Sequence, residues 1–271
     1  MVRLRLLLGG LALTAFVAYS GLASSNAQAP SSQPGPLPPA LLDCPDLAAA
    51  LRTVASNDAR LRDWPQIARY RDANRTVTAA EVVFMGDSIT DNWPQPRFGA
   101  FFPGKAYIGR GISGQTTPQM LIRMRPDVIA PKPKVVVILG GTNDIAGNTG
   151  PMTDEQIEGN LASMAELAAA NGIRVVLSSI TPVSHYHVAN PTATPQTTLR
   201  PIARVRAVNA WMREYAAAHK HGYLDYFSAM VDDQGLLRTE FSGDDLHPNA
   251  AGYAIMAPLA EAAIQTVLAM K

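Results

Sequence analysis

The segment "KVVVIL", residues 134–139, contains five consecutive branched apolar residues after Lys134. Valine and isoleucine favour strands, and a run without polar alternation is typical of a strand whose two faces are both buried. Such strands occur in the centre of parallel sheets that carry helices on both sides. Gly140 and Gly141 end the run. The segment therefore predicts a central strand of an α/β domain.

Shorter apolar runs before and after this segment extend the same pattern. They are "EVVFM" (81–85), "AYIG" (106–109), "IRVVLSSI" (173–180) and "GYLDYF" (222–227). Segments with helical periodicity separate them, as in residues 157–168, where Ile157, Leu161 and Met164 share one face. Strands that alternate with helices predict a parallel sheet. We expect a three-layer α/β/α sandwich on a flavodoxin-like parallel sheet of about five strands.

Several predicted helices begin with capping residues. Thr117 is a candidate N-cap with Pro118 at the first helical position. Thr153 and Gln156 form a capping-box pattern, and Asn249 is placed to cap a final helix. The segments between the strands therefore have local signals for helix formation as well as apolar periodicity.

Glycines and polar residues follow the first three predicted strands. They form "GDSIT" (86–90), "GRGISGQTT" (109–117) and "GGTND" (140–144). Each segment alone also fits an ordinary role, with Ser88 as a helix cap and the other two as turns. The carboxyl ends of parallel strands, however, share the edge of the sheet where ligands bind in such folds. Their common position favours a functional site.

The stretch "DDLHPN", residues 244–249, places a histidine before the final predicted helix. Asp244 precedes His247 by three residues, a spacing that lets a carboxylate reach one imidazole nitrogen while the other faces away. A carboxylate in that position fixes the tautomer and stabilises the imidazolium. A histidine before a helix is also a common structural residue, so the pair gains catalytic meaning only with a nucleophile such as Ser88.

These four segments, in this order, resemble the characteristic blocks of the SGNH hydrolases, also called the GDSL esterase/lipase superfamily. The resemblance covers about residues 80–265, and Ile89 stands where leucine is common in the family. It implies that Ser88 is the nucleophile, His247 the general base and Asp244 the orienting acid. Asp245 is the rival for the acid, although its spacing does not fit the family pattern.

The resemblance also implies an oxyanion hole and a reaction class. The hole would consist of the backbone N–H of Ser88, the backbone N–H of Gly114 and the side chain of Asn143. The implied enzyme is a carboxylic ester hydrolase that acts through a serine ester, with neither a metal nor another cofactor. His185 and His187 are two residues apart, but two histidines without further candidate ligands are a poor indication of a metal site.

The ester substrate is less constrained by the sequence. No long apolar segment suggests a lid over a lipase groove, which favours a short acyl group such as acetyl, with a carbohydrate as one candidate alcohol. A lipase or lysophospholipase, an acyltransferase that uses the same serine, and a non-catalytic anion-binding or glycan-binding protein are the alternatives. Trp93 and residues 185–191 are candidates for the pocket wall, and Trp93 fits core packing equally well.

Composition limits the partners. The 271 residues include 23 basic and 22 acidic ones, and the formal net charge of +1 does not favour nucleic acid or an acidic membrane surface. The single cysteine, Cys44, excludes an intrachain disulfide. A small-molecule or glycan ester is the expected partner, and the sequence does not indicate an oligomeric state.

The N-terminus has the three-part pattern of a secretory signal peptide. Arg3 and Arg5 precede an apolar run, and small residues follow it. We predict a signal peptide over residues 1–27, cleaved after Ala27, a Pro-rich linker over 28–40 and a hydrolase domain over 41–271. A periplasmic or secreted protein without stable membrane insertion is expected. An uncleaved membrane anchor is the alternative, because the apolar run approaches spanning length.

Overall fold

The computed structural model describes residues 45–187 and 192–270, and the predicted strands form a parallel five-stranded sheet within them. The strands are β1 Val82–Gly86, β2 Tyr107–Gly111, β3 Val135–Leu139, β4 Arg174–Ser178 and β5 Gly222–Leu224. Their spatial order is β2-β1-β3-β4-β5, with every neighbouring pair parallel. This is the flavodoxin-like order, so the predicted fold class is confirmed.

Ten α-helices connect or flank these strands in the described residues. They are α1 Pro45–Arg62, α2 Arg71–Thr76, α3 Ser88–Asn92, α4 Thr117–Arg123, α5 Thr142–Ile145, α6 Asp154–Ala170, α7 Gln196–Leu199, α8 Ile202–Ala218, α9 Tyr226–Met230 and α10 Ala250–Ala269. Short 3-10 turns cover Ile67–Tyr70, Pro96–Phe98 and Thr239–Phe241, and a π-helical turn over Met124–Ile129 follows α4. The described residues from 56 onward form one compact unit, and residues 45–55 are the first part of α1.

The two faces of the sheet carry two separate apolar clusters. In β3, Val136 and Ile138 point into a cluster with the apolar residues of α4, α6 and α8, whereas Val135 and Val137 point into a cluster with α3, α9 and α10. Both faces of the central strand are covered, which explains why its sequence is apolar throughout. The three layers follow from this arrangement.

The last helix, α10, illustrates how the second layer is held. Tyr253, Met256, Ala260, Ile264 and Val267 are buried against the sheet. By length and hydropathy this helix is also the one described helix that would suffice to cross a membrane. Its apolar residues Tyr253, Met256 and Ile264 belong to the apolar cluster on one face of the sheet.

Some predicted boundaries were wrong. The last strand ends at Leu224, because Asp225 accepts a hydrogen bond from the Ser228 N–H and starts α9, so Tyr226 and Phe227 are helical. Thr116 rather than Thr117 occupies the N-cap position of α4, and it forms a capping box with Gln119. In both cases a side-chain oxygen accepts a hydrogen bond from a backbone N–H and sets the helix start: Asp225 accepts from Ser228, and Gln119 accepts from Thr116.

Other predicted helix starts are found at their expected positions. Thr153 accepts from the N–H of Gln156 and begins α6, and Asn249 accepts from the first N–H groups of α10. The predicted signal peptide (1–27) and linker (28–40) lie outside the described residues, as does Cys44.

Candidate active site

The candidate nucleophile Ser88 lies at the carboxyl end of β1, where it is the first residue of α3. The Asp87 side chain caps this helix by accepting a hydrogen bond from the Ile89 N–H at 2.9 Å. Ser88 is largely buried, with 7% of its surface exposed. The strand-to-helix turn therefore presents Ser88 at the edge of the sheet that the sequence predicts.

Ser88, His247 and Asp244 form a continuous chain of contacts. Ser88 Oγ lies 2.9 Å from Nε2 of His247, and His247 Nδ1 lies 2.7 Å from Oδ2 of Asp244. An ionised carboxylate only accepts hydrogen bonds, so Nδ1 must carry the proton in the neutral ring. The lone pair of Nε2 is then directed at the Ser88 hydroxyl. This geometry suits transfer of the serine proton to the histidine.

The Asp244 carboxylate is held in place by the backbone of its own turn. Its Oδ1 accepts from the N–H groups of Leu246 at 3.1 Å and His247 at 2.7 Å. Burial alone would raise the pKa of Asp244, but the hydrogen bonds from His247 and Leu246 outweigh it and keep the pKa well below its usual range. The Asp244 carboxyl is therefore ionised at neutral pH.

Asp245 has a different partner from its neighbour. Its carboxylate accepts from the Ser184 hydroxyl, from the N–H groups of Tyr186 and His187, and lies 3.0 Å from His187 Nδ1. It therefore fixes the segment after β4 and makes no contact with His247. Of the two adjacent aspartates, the structure brings Asp244 to the histidine beside Ser88.

Asn143 lies at the start of α5, at the carboxyl end of β3. Its Nδ2 donates to the carbonyl oxygen of Gln115 at 3.0 Å, which places the amide beside the segment that contains Gly114. Gly141, the N-cap of α5, has a φ of +113°, and a Cβ there would lie 2.8 Å from Ile180. Glycine is therefore required for the turn that aims Asn143 at this edge.

Gly114 belongs to a loop that is pinned on several sides. The backbone N–H and hydroxyl of Ser113 both donate to Asp91, and the Asn148 amide donates to the Gly114 carbonyl at 3.1 Å. The N–H groups of Ser88 and Gly114 donate to no oxygen of the described residues. Two backbone donors near the site thus remain open for a ligand oxygen.

A buried polar network supports this loop from below, and sequence analysis did not find it. Arg123 in α4 donates to Gln115 Oε1 at 2.6 Å, to the Arg110 carbonyl at 2.6 Å and to Asp127 at 2.8 Å, and both members of the ion pair are fully buried. The amide of Gln115 donates onward to the Pro65 carbonyl. A single arginine within the apolar pattern of α4 was the signal that could have revealed the network.

Arg200 is a second arginine that sequence analysis missed. It is 4% exposed and lies at the end of α7. Its guanidinium donates to Thr142 Oγ1 at 2.9 Å and to Asn143 Oδ1 at 3.3 Å. The sequence "TLRPIA" around it has no feature that separates it from a surface arginine.

The buried carboxyl of Asp87 lies directly behind the serine. Burial raises its pKa to about 6, partly offset by the hydrogen bond from the Ile89 N–H and by the charges of His247 and Arg200. Its second oxygen, Oδ2, has no hydrogen-bond partner among the described residues. Ionising this group in the folded protein is therefore unfavourable.

Two cavities adjoin the site. One, of about 390 Å³, is lined by Trp64, Gln66, Ser113, Gly114, Gln115, Gln119, Asn148 and Thr149. The other, of about 280 Å³, is lined by Asn92, Arg97, Phe98, Gly243, Asp244, His247, Pro248 and Asn249. A larger cavity of about 720 Å³ lies around Ile173 and His221, near the amino ends of β4 and β5, and is remote from Ser88.

The other candidate pocket residues are placed elsewhere or only partly described. Trp93 is 5% exposed and packs against Phe84 and Tyr253 in the core, so the pocket role considered for it is wrong. His187 contacts Asp245, and His185 contacts Thr197. Residues 188–191 lie outside the described part of the chain.

The sequence profile of the GDSL-like lipase/acylhydrolase family matches residues 84–255, a range that includes Ser88, Asn143 and His247. The chain belongs to this family. The predicted superfamily and the prediction of a carboxylic ester hydrolase are confirmed.

Three relatives illustrate the range of similarity. Esterase TesA of Pseudomonas aeruginosa is 30% identical over 148 residues, which make up 53% of this chain and 62% of TesA, so the match spans about three fifths of that relative. A GDSL-like lipase from Bacteroides thetaiotaomicron is 38% identical with a TM-score of 0.67, over 74% of this chain and 98% of that one. A mutant of Axe2, an acetylxylan esterase from Geobacillus stearothermophilus, is 21% identical with a TM-score of 0.54, over 70% of this chain and 96% of that one, and this likeness concerns the fold alone.

Proposed function

We propose that this acylhydrolase cleaves esters of short acyl groups, acetyl above all, through an acyl-enzyme formed on Ser88. The observation that carries the proposal is the continuous chain of contacts from Ser88 Oγ through both nitrogens of His247 to Asp244. A nucleophile, its base and the group that orients the base are thereby aligned in one direction.

The proposed reaction has two matching halves. Ser88 Oγ bonds to the ester carbonyl carbon while its proton passes to His247 Nε2, and the carbonyl electron pair moves onto the oxygen. The N–H groups of Ser88 and Gly114 and the amide of Asn143 would stabilise this oxyanion. When it collapses, the ester C–O bond breaks and the alcohol leaves with the proton from His247. Water then repeats the same steps on the acyl-enzyme and releases the acid.

The cavities beside the site favour a short acyl group. Trp64 is the large apolar side chain in the wall of the 390 Å³ cavity, and Phe98 and Pro248 are the apolar residues in the wall of the 280 Å³ cavity. A long acyl chain requires an extended apolar groove to replace water along its length. Neither cavity, as formed by the described residues, offers such a groove.

The larger of these two cavities favours a neutral alcohol that carries several hydroxyl groups, such as a sugar. Trp64 is 38% exposed and offers an aromatic face, and Ser113, Asn148 and Thr149 supply uncharged donors and acceptors. None of the residues that line this cavity carries a charge. Gly114 forms part of the same wall, so a ligand there would lie next to one of the proposed oxyanion donors.

The backbone at Trp64 is held by two glutamines, Gln115 next to Gly114 and Gln119 in α4. The Trp64 carbonyl accepts from the Gln119 amide at 2.8 Å, and the adjacent Pro65 carbonyl accepts from the Gln115 amide at 2.7 Å. An alcohol that stacks on Trp64 would therefore be held at a defined distance from the reacting ester.

A series of 4-nitrophenyl esters of increasing chain length tests the acyl group. We expect kcat/KM to be highest for acetate and to fall steeply beyond butyrate, and Ser88→Ala to abolish the reaction. A preference for long chains would support the lipase alternative, and transfer of the acyl group to an added alcohol in preference to water would support an acyltransferase.

An acetylated oligosaccharide tests the alcohol. Trp64→Ala should lower kcat/KM for this substrate while leaving 4-nitrophenyl acetate hydrolysis unchanged, and Trp64→Phe should restore most of the loss because it retains an aromatic face. Equal effects on both substrates would contradict the sugar assignment.

We also propose that the enzyme works outside the cytoplasm, on the strength of the predicted signal peptide. N-terminal sequencing of the protein recovered from its host should find Gln28 as the first residue. A mature protein that retains residues 1–27 would contradict this.

A further inference from the structure

Arg200 is a buried cation with neutral partners. Its side chain donates to Thr142 Oγ1, Gln196 Oε1 and Asn143 Oδ1, and it forms no ion pair with a carboxylate of the described residues. A buried charge without a counter-ion is costly, so proteins retain one where its field or its donors have a use. The charges of Asp87 and Asp244, both of which belong to the site around Ser88, act on the Arg200 guanidinium.

The contact with Asn143 determines which way the amide faces. A guanidinium only donates hydrogen bonds, so the atom of Asn143 that it meets must be the carbonyl oxygen Oδ1. The Gln115 carbonyl only accepts, so it must face the amide nitrogen Nδ2, at 3.0 Å. The two partners together exclude a flipped amide. One of the two N–H bonds of Nδ2 is used by Gln115, and the other remains for a ligand.

We propose that Arg200 is a positioning residue for the oxyanion hole, which acts by holding Asn143 with one N–H directed at the reacting oxygen. The positive charge of the guanidinium beside Oδ1 also polarises the Asn143 amide, which makes the free N–H a stronger hydrogen-bond donor. This inference rests on the proposed function, in which Asn143 stabilises the oxyanion. Arg200 itself touches no reacting atom in this scheme.

A purely structural role is the competing explanation. Arg200 also joins α5 to α7 through Thr142 and Gln196, so its loss would lower stability in either case. The two roles differ in how Arg200 depends on Asn143. A positioning residue that acts through Asn143 has no effect on turnover once the Asn143 amide is absent, whereas a structural clamp affects both backgrounds equally.

A double-mutant cycle separates these possibilities. Arg200→Lys, Asn143→Ala and the double variant are compared with the wild type in 4-nitrophenyl acetate hydrolysis. Arg200→Lys should lower kcat by about 10- to 100-fold with KM little changed, the range expected for loss of a hydrogen bond from a charged group. In the Asn143→Ala background the same substitution should change kcat by less than about threefold, because coupled residues are not additive.

A matched control uses the other partner of the guanidinium. Gln196→Ala removes an acceptor of Arg200 but leaves its contact with Asn143, so it should affect kcat by less than about threefold while it lowers the thermal stability. Equal losses of kcat from Arg200→Lys in both backgrounds, or a kcat loss in Gln196→Ala as large as in Arg200→Lys, would overturn the proposal.

A measurement without turnover keeps this test separate from the proposed function. The side-chain amide resonances of Asn143, assigned by their absence in Asn143→Asp, should shift in Arg200→Lys and stay nearly unchanged in Gln196→Ala. If the wild type showed no Ser88-dependent hydrolysis, the proposed function would fail, while these resonances would still report whether Arg200 holds the amide. Unshifted resonances in Arg200→Lys would refute the positioning role.

Discussion

Replacing Asp244 by asparagine should damage the proposed catalysis more than replacing it by alanine. The backbone N–H groups of Leu246 and His247 both point at the Oδ1 position of Asp244. In Asp244→Asn these donors require the carbonyl oxygen there, so the amide nitrogen faces His247 Nδ1. An amide nitrogen donates, which forces Nδ1 to accept and moves the ring proton to Nε2. Nε2 then cannot take the proton of Ser88.

The size of each effect follows from the exposure of the pair. Asp244 is 56% exposed at its side chain, so its attraction to the imidazolium lies between the limits of about 1 kcal/mol in water and about 4 kcal/mol in a partly buried pair at 4 Å. A value of about 2 kcal/mol corresponds to about a 30-fold loss of kcat in Asp244→Ala. The wrong tautomer in Asp244→Asn adds to this, and a loss of about 10³-fold or more is expected, approaching the 10⁴-fold cost known for the same change in a Ser-His-Asp protease.

The assay is kcat for 4-nitrophenyl acetate at neutral pH, with thermal unfolding to show that each variant is folded. Asp245→Asn is the matched comparison, since it removes a neighbouring carboxylate that contacts His187 instead. It should lower the melting temperature but change kcat by less than about threefold. An Asp244→Asn variant that is as active as Asp244→Ala, or more active, would refute the tautomer argument, and a kcat loss in Asp245→Asn that equals the Asp244 effect would refute the assignment of the acid.

Three further outcomes are expected. Asn143→Ala should lower kcat by about 10²–10³-fold with a small change in KM, because it removes one oxyanion donor; near-normal esterase activity would contradict the assignment. Arg123→Met should destabilise the protein by about 3–5 kcal/mol in denaturant unfolding, since it leaves Asp127 as a buried unpaired charge; a neutral effect would contradict it. Burial raises the pKa of Asp87 to about 6 in the folded protein, so between pH 4 and pH 6 the folded chain binds more protons than the unfolded chain. The free energy of unfolding therefore falls as the pH rises, by about 2 kcal/mol between pH 4 and pH 7. Asp87→Asn should lack this part of the pH dependence in urea unfolding, and an identical profile in both proteins would exclude the effect.

The central part of the fold could be predicted from the sequence because each feature is encoded within a few residues. The run at 134–139 is apolar on both faces, and glycines mark the end of the strand. Ser88 and Asn143 lie just after β1 and β3, as expected from the rule that functional residues occupy the carboxyl ends of parallel strands, whereas His247 was predicted from its spacing to Asp244 and from the family resemblance. The predicted end of the last strand at residue 227 was wrong, because the Asp225 side chain accepts from the Ser228 N–H and starts a helix.

The supporting contacts of the site could not be predicted, since they connect distant parts of the chain. Arg200 contacts Asn143 across a separation of 57 residues, and Gln115 contacts Pro65 across 50. Local periodicity contains no information about such pairs. An arginine is usually exposed, so the presence of Arg123 and Arg200 in the sequence does not by itself predict buried side chains. Their burial is a property of the assembled fold.

The two adjacent aspartates show how backbone conformation assigns chemistry to residues of one type. Asp245 has a φ of +67°, in the left-handed region that aspartate tolerates better than most residues. This turn separates the directions of neighbouring side chains, so that Asp244 reaches His247 while Asp245 reaches Ser184 and His187. One aspartate thus aligns the imidazole with Ser88, and the other ties the same turn to the segment after β4. Both aspartates stabilise the turn, but only Asp244 contacts the proposed base, which is why the two substitutions are expected to differ in their effect on kcat.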